Sequence, residues 1–208
     1  MSQFKTEQEN FWAGEFGNEY ITRNSGTKIL QRKLYTWKKV TSNINNLNSC
    51  IEFGSNVGYN LIALERLFPS LSLSRVAVEI NKKACAELNK IQGVEVLNSS
   101  ILDYTPIKTY DLSFTCGVLI HINPNELKQV YEKLYKSSHK YIFIQEYYSL
   151  QPVEINYRGH SGRLFKRDFA DEILKQYSDL KLVNYGFFYH NDENINEDTN
   201  WFLFQKNI

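Results

Sequence analysis

The stretch CIEFGSNVGYN, residues 50–60, decides the fold of this chain. An apolar run ends in an acid, two glycines follow four residues apart, and an apolar pattern of helical period comes next. This order predicts a strand that turns into a helix around a ligand, with Gly54 making the sharp turn and Gly58 allowing close packing of the helix on the strand. The N-terminus of that helix would offer free N–H groups and the positive end of its dipole. Taken alone, the loop is also compatible with a generic glycine-rich turn.

Short apolar segments alternate with helical patterns along most of the remaining chain. Strands are predicted at 49–53, 74–80, 94–100, 110–120 and 140–148, and helices at 27–45, 58–68, 81–91, 123–137 and 166–177. Such alternation indicates βαβ units, a parallel sheet and right-handed crossovers. Two further strands, at 181–190 and 200–206, flank a polar loop and predict an antiparallel hairpin. The sequence therefore predicts an α/β, Rossmann-like fold whose seven-stranded, mostly parallel sheet ends in a C-terminal antiparallel hairpin, with helices on both faces.

Composition narrows the class of protein. The 208 residues are 42% hydrophobic, and 24 Lys and Arg against 23 Asp and Glu give a formal net charge of +1. This balance gives no electrostatic reason to expect nucleic acid or an anionic membrane as partner. The start of the chain lacks a signal-peptide pattern, and no run of about 18 apolar residues predicts a membrane span. Three cysteines without CxxC spacing and four scattered histidines predict buried thiols and no metal site, so we expect a soluble cytoplasmic protein.

The residues around the glycine loop indicate which ligand it serves. Asn56 stands where G-x-G-x-x-G has its middle glycine, which suits a pyrophosphate less well. Glu52 precedes the glycines at the strand end, where a carboxylate would repel a diphosphate but attract an amino group. No Gly-Lys-Ser/Thr follows, which excludes a Walker-type loop. Glu79 ends the second strand and is placed to accept both hydroxyls of a ribose; the alternative is an acid that pairs with the following helix dipole.

Together, these residues resemble the class I S-adenosylmethionine-dependent methyltransferases. IEFGSNVGYN is similar to their first motif, VEIN to their second-strand acid, and YDLSFTCGVLIHINP to a fourth strand that often ends in G-V-L-x-H-[IL]. The resemblance covers roughly residues 45–205 and includes the C-terminal hairpin. It implies S-adenosylmethionine as the cofactor, with Glu52 and the glycine loop at the methionine end, Glu79 at the ribose and Ile80 on the adenine.

One position departs from that family. The third-strand loop usually supplies an acid near the adenine amine, whereas this chain has Ser100 there and Asp103 three residues on. A serine or backbone contact to the base is therefore expected. The cofactor-binding residues implied by the resemblance are Glu52, Gly54, Ser55, Asn56, Gly58, Asn60, Glu79, Ile80, Ser100, Ile101, Cys116 and Gly117, with Tyr20 and Arg23 from the N-terminal segment.

The N-terminal segment FWAGEFGNEYITRN, residues 11–24, resembles a smaller group of methyltransferases associated with bacterial pseudaminic acid biosynthesis. The shared opening is FW-x-G-x-FG-x-x-Y-x-x-RN, carried here by Phe11, Trp12, Gly14, Phe16, Gly17, Tyr20, Arg23 and Asn24. Two glycines are expected to interrupt any helix, while Trp12, Tyr20 and Arg23 supply a stacking surface, a hydroxyl and a cation. We interpret the segment as a lid over the cofactor; an aromatic strap packed on the sheet is the alternative. The expected organisation is a lid and helix at 1–45, and a cofactor-binding domain at 46–208 with a substrate-loop insertion at about 147–169.

The predicted acceptor site combines this lid with the insertion. The YRGHSGR stretch suits an anionic or hydroxyl-rich ligand, unless it is merely a solvated loop. The predicted substrate residues are Trp12, Tyr147, Tyr157, Arg158 and Arg163. Methyl transfer needs a base only for a hydroxyl or a protonated amine, and the candidates in order are His121, His160 and Glu146. For His121 a purely structural role remains open.

The predicted activity is methyl transfer to a small molecule. The resemblance of the N-terminal segment implies a sugar, amino sugar or nucleotide sugar of nonulosonic acid biosynthesis as the acceptor. The alternatives are a Rossmann-type oxidoreductase, disfavoured by Asn56 and by the lack of a separate substrate domain, and a non-catalytic cofactor-binding protein. The sequence leaves the methylated atom and the oligomeric state undetermined.

Overall fold

The computed structural model describes residues 4–23, 26–44, 46–69 and 72–207. Asn24, the last residue of the N-terminal motif, lies outside these ranges. Within them, no helix is both long and apolar enough to cross a membrane.

The main sheet has seven strands in the order β3-β2-β1-β4-β5-β9-β8. Strands β1 to β5 are parallel, whereas β9 pairs antiparallel with both β5 and β8. The predicted sheet and its C-terminal hairpin are therefore confirmed. The strands are β1 Ser49–Phe53, β2 Ser74–Glu79, β3 Val94–Asn98, β4 Tyr110–Cys116, β5 Ser138–Glu146, β6 Val153–Tyr157, β7 His160–Lys166, β8 Leu180–Phe188 and β9 Thr199–Lys206.

Helices cover both faces of the sheet, as predicted. Alternate residues of β1 face opposite cores: Ile51 and Phe53 pack with the last two helices of the chain, while Cys50 packs with helices formed by residues 27–40, 59–67 and 82–88. The α-helices are α1 Glu7–Ala13, α2 Glu15–Arg23, α3 Thr27–Val40, α4 Tyr59–Leu67, α5 Lys82–Leu88, α6 Leu127–Lys136 and α7 Phe169–Gln176. Single 3₁₀ turns occupy Thr41–Asn43, Leu119–His121 and Pro124–Glu126.

The fourth strand is shorter than predicted. It ends at Cys116, because Gly117 adopts φ +68° and turns the chain out of the sheet. The residues predicted to extend the strand instead form the 3₁₀ turn Leu119–His121, which delivers His121 beside the carboxyl end of β4.

The N-terminal segment forms two helices, α1 and α2, whereas both of its glycines were expected to interrupt a helix. Only Gly14 separates them, and Gly17 lies inside α2. A Cβ built on Gly17 would lie 1.9 Å from the Trp12 carbonyl oxygen, so glycine lets the two helices meet at close range. The pair α1–α2 is called the N-terminal lid below.

The insertion at 147–169 is also more regular than expected. Strands β6 and β7 pair antiparallel and are joined by Arg158 and Gly159, with φ +51° and +87°. Two positive φ values in a two-residue connection are typical of a type I′ hairpin turn. The substrate loop predicted for this stretch is therefore a hairpin, and its Arg-Gly turn is a weaker sequence signal than Asn-Gly or Asp-Gly.

Candidate active site

A cavity lies at the carboxyl ends of β1, β2 and β4, where the strand order reverses between β1 and β4. Open α/β sheets bind their ligands at this point. The N-terminal lid forms part of the cavity wall. The predicted site residues that line the cavity are Trp12, Tyr20, Glu52, Gly54, Ser55, Asn56, Gly58, Asn60, Glu79, Ile80, Ser100, Ile101, Cys116, Gly117 and His121.

The glycine loop curls from β1 towards β2. Gly54 has φ +73° and Asn56 has φ +47°, a region that asparagine tolerates better than most residues. Gly58 has φ +83° and precedes α4; a Cβ there would lie 2.6 Å from Ile91 and 2.7 Å from Leu88. The sequence predicts that Gly58 allows close packing of the helix on the strand. In the structure, the close neighbours of Gly58 are instead in α5 and the turn that follows it.

Glu79, at the end of β2, bonds to the loop that follows β1 and to the turn that follows β2. One carboxylate oxygen accepts the Asn56 N–H at 2.7 Å, and the other accepts the Asn81 N–H at 2.8 Å. Burial raises the pKa of Glu79, and the hydrogen bonds from backbone N–H groups oppose that rise. The Ile80 N–H also contributes a hydrogen bond to this carboxylate, so three of its roughly four acceptor positions are in use and one remains for a ligand in the cavity.

Glu52 is a buried carboxylate with one unpaired oxygen. Its Oε1 accepts from Asn60 Nδ2 at 2.6 Å, and Asn60 in turn accepts from Trp37 Nε1 at 3.1 Å. Its Oε2 is buried and has no hydrogen-bond partner among the described residues. Burial raises the pKa of Glu52 to about 8, with the Asn60 hydrogen bond opposing it. A cationic amino group would satisfy this carboxylate, so the residues present fit the amino-acid end of S-adenosylmethionine.

The loop after β3 meets a residue that the sequence analysis missed. The Ser100 hydroxyl donates to Glu9 Oε1, from helix α1, and accepts the Leu102 N–H at 3.0 Å. Glu9 is only 6% exposed and lines the cavity. The sequence signal at Glu9 is the pattern Thr6-x-x-Glu9, which predicts a capping box, and the structure has that box. A capping signal does not reveal that the same carboxylate reaches a ligand cavity.

His121 also lines the cavity and has a defined tautomer. Its Nδ1–H donates to the Arg163 carbonyl oxygen at 2.6 Å, so Nε2 is the unprotonated nitrogen. Burial lowers the pKa of His121 to about 4, and the hydrogen bond to Arg163 opposes that shift. The ring centroid of Trp12 lies 4.5 Å away. His121 is therefore a neutral imidazole near pH 7, and its Nε2 has no hydrogen-bond partner among the described residues.

Aromatic side chains join the N-terminal lid to the β6–β7 hairpin. Tyr157 packs 4.9 Å from His121 and 5.7 Å from Phe16, between ring centroids. His160 packs 5.0 Å from Phe11, and is exposed to solvent. Two polar contacts reinforce the junction: Gln8 Nε2 donates to the Gly162 carbonyl oxygen at 2.9 Å, and Arg163 pairs with Glu7 at 3.2 Å.

Seven predicted site residues do not line the cavity: Arg23, Glu146, Tyr147, Tyr157, Arg158, His160 and Arg163. Arg23 is exposed, lies over the Phe16 ring and pairs with Glu19, away from the predicted cofactor contact. His160 and Arg163 serve the contact between lid and hairpin. Tyr147 donates its hydroxyl to Glu197 at 2.8 Å, and Arg158 lies 5.9 Å over the Tyr157 ring.

Glu146 supports the turn that carries His121. Its carboxylate accepts the N–H groups of Val118 and Leu119 at 3.0 Å and of Ile120 at 3.4 Å. Burial raises its pKa to about 7, although these hydrogen bonds oppose the rise. This geometry suits a positioning role and differs from the predicted direct contact with an acceptor.

Neither a disulfide nor a metal site is found in the described part of the chain. Cys50 and Cys85 are buried, Cys116 is half-buried, and all three are free thiols. In the described ranges, no group of three or more His, Cys, Asp or Glu side chains is arranged to hold a metal ion.

Several solved structures share this architecture. No family model matches the sequence, and no curated protein matches it. The chain is similar to magnesium protoporphyrin IX methyltransferase from Synechocystis PCC 6803 with bound SAM, with TM-score 0.69 and 11% identity over 100% of both chains. It is also similar to plantazolicin methyltransferase in complex with SAH, with TM-score 0.64 and 13% identity over 96% of this chain and 94% of that one. Coclaurine N-methyltransferase, bound to N-methylheliamine and SAH, gives TM-score 0.68 and 11% identity over 90% and 80%. The chain therefore has the fold of the class I methyltransferases.

Proposed function

We propose that this protein is an S-adenosylmethionine-dependent methyltransferase that acts on a small molecule. The observation that carries the proposal is the pair of buried carboxylates on either side of the glycine loop. Glu52 has an unpaired oxygen suited to an amino group, and Glu79 has a remaining acceptor position suited to the ribose hydroxyls. The fold and the methyltransferases that share it support this assignment.

The chain's residues would align the reactants and exclude water. S-adenosylmethionine supplies a sulfonium-bound methyl group for in-line displacement, a reaction that depends chiefly on alignment and on a dry site. Trp12 and Tyr20 of the lid line the same cavity as the glycine loop. The neutral His121 imidazole, with Nε2 unprotonated, would accept the proton of a hydroxyl acceptor as the methyl group arrives, or would remove a proton from an ammonium acceptor before its nitrogen attacks.

The acceptor would lie in the cavity beside Trp12 and His121, close to the junction of the lid with the β6–β7 hairpin. Rings of Trp12 and Tyr157 flank His121 there, and aromatic faces suit the apolar faces of a sugar ring. Arg158, exposed beside Tyr157 on the hairpin, would supply a cation for a carboxylate or phosphate group that extends beyond the cavity. These features support a sugar, amino sugar or nucleotide sugar as acceptor. The narrower assignment, to nonulosonic acid biosynthesis, rests on the N-terminal motif alone.

Ligand-induced thermal stabilisation tests the cofactor assignment. We expect S-adenosylmethionine and S-adenosylhomocysteine to raise the melting temperature, because they bind only the folded chain, and NAD and NADP to leave it unchanged. The measurement is a thermal shift with each ligand at equal concentration. Stabilisation by the dinucleotides but not by the sulfonium pair would contradict the proposal in favour of an oxidoreductase.

The affinity for S-adenosylhomocysteine should depend on the ionisation of Glu52. Its pKa of about 8 leaves the carboxyl largely protonated at pH 6, whereas the ligand's amino group requires the carboxylate. Ionisation rises with pH below that pKa, so between pH 6 and pH 7.5 the affinity should increase by about tenfold per pH unit. Calorimetric titration of the wild type and of Glu52→Gln, which cannot ionise, measures the effect. An equal pH slope in both proteins would assign the titration to another group.

A further inference from the structure

The cavity is lined by a carboxylate from outside the core sheet, that of Glu9. Its role, inferred below, deepens the function proposed above and rests on it. We propose that Glu9, on lid helix α1, recognises the exocyclic amino group of the cofactor's adenine. The lid would then select the nucleobase as well as cover the site.

The strand order indicates where the adenine of the cofactor would lie. Glu52 on β1 takes the amino-acid end of the ligand and Glu79 on β2 takes the ribose. Strand β3 is next in the sheet order β3-β2-β1, so the base continues to the β3 side of Glu79. The cavity wall on that side includes Ile80, Ile101 and Leu102, an apolar surface suited to the faces of a purine.

The polar side chains on this side have specific partners. The Ser100 hydroxyl both accepts from Leu102 N–H and donates to Glu9, so its one proton is committed. The Asn81 side chain accepts from Lys83 and Ala84 N–H groups and donates to the Trp12 carbonyl oxygen. Neither residue provides a charged acceptor to the cavity. Glu9 does.

The lone pairs of Glu9 define what it can bind. Oε2 accepts the Thr6 N–H at 2.8 Å and the Thr6 hydroxyl at 2.9 Å, which fills both of its positions. Oε1 accepts only from Ser100, so one acceptor position remains. An exocyclic amine offers N–H donors to it, whereas a 6-oxo group would set a second acceptor against the carboxylate. The site should therefore distinguish a 6-amino purine from a 6-oxo purine.

The test compares S-adenosylhomocysteine with S-inosylhomocysteine, in which an oxo group replaces the 6-amino group and N1 carries a proton. We expect the wild type to bind the adenine compound about tenfold or more tightly, as for the loss of one charge-assisted hydrogen bond. In Glu9→Gln the preference should fall to within about threefold, because the amide can donate to the oxo group as well as accept from the amine. Glu15→Gln, an exposed change on the same lid, should keep the wild-type preference.

Because both ligands are titrated against each protein, the ratio of the two dissociation constants cancels any general loosening of the lid. If Glu9→Gln proves too unstable to titrate, Glu9→Asp keeps the charge but shortens the reach, and should also reduce the preference. Equal affinities in the wild type, or a full preference in the Glu9 variants, would overturn this inference while leaving the proposed function intact. A preference lost only in Ser100→Ala would assign recognition to the serine and also overturn it. Failure of the wild type to bind S-adenosylhomocysteine would overturn the proposed function itself.

Discussion

Replacing Glu79 by glutamine should weaken S-adenosylhomocysteine binding by about 100-fold, since the charge-assisted hydrogen bonds proposed between this carboxylate and the ribose hydroxyls would be lost or weakened. The change also has a cost within the protein. The two carboxylate oxygens accept the Asn56 and Asn81 N–H groups, and a glutamine amide presents its NH₂ to one of them. We therefore expect a lower melting temperature without ligand as well.

Affinity and stability must be measured separately for this variant. Calorimetric titration gives the affinity, and thermal unfolding without ligand gives the stability. Glu95→Gln is a suitable control, because Glu95 lies on neighbouring strand β3 and its carboxylate pairs with Lys108 at the surface. A Glu79 variant that loses stability but keeps its affinity would mean that Glu79 only holds the two loops.

Replacing His121 by glutamine should lower kcat by about 100-fold or more, the usual contribution of a positioned general base. Glutamine approximates the size of imidazole but cannot take up the proton. Affinity for S-adenosylhomocysteine should stay within about threefold, because the base acts on the acceptor. Since the pKa of His121 is about 4, the base form is present throughout pH 5 to 8, and His121 should give kcat no pH dependence in that range.

The assay requires an acceptor, identified by incubating methyl-labelled cofactor with a panel of sugars and nucleotide sugars. His160→Gln is the matched control: this imidazole is exposed and packs against Phe11 and Phe16 outside the cavity. Equal rates for the His121 variant and the wild type would show that the acceptor needs no base, and would leave His121 a structural role.

Much of the core could be predicted, because strand and helix periods are local properties of the sequence. Strand β1 has its predicted bounds, and the glycine loop leads into α4 beside Glu79 as the spacing indicated. The contribution of Glu9 could not be predicted, since it depends on a contact with Ser100 across 91 positions of the chain. For the same reason, the sequence placed Arg158 and His160 in a ligand loop, whereas pairing of β6 with β7 places them in and beside a hairpin turn.

The close approach at Gly17 has a kinetic consequence. With almost no space between α2 and the Trp12 carbonyl oxygen, the two lid helices should move as one rigid body. Glu9 and Trp12 lie about one turn apart on α1, with Glu9 against Ser100 and Trp12 beside His121, so the same body would contact both the proposed nucleobase and the proposed acceptor. Opening the lid to exchange a spent cofactor would therefore also uncover the acceptor. We expect the enzyme to release its product after each methyl group, so that a substrate with two acceptor positions would accumulate the singly methylated form first.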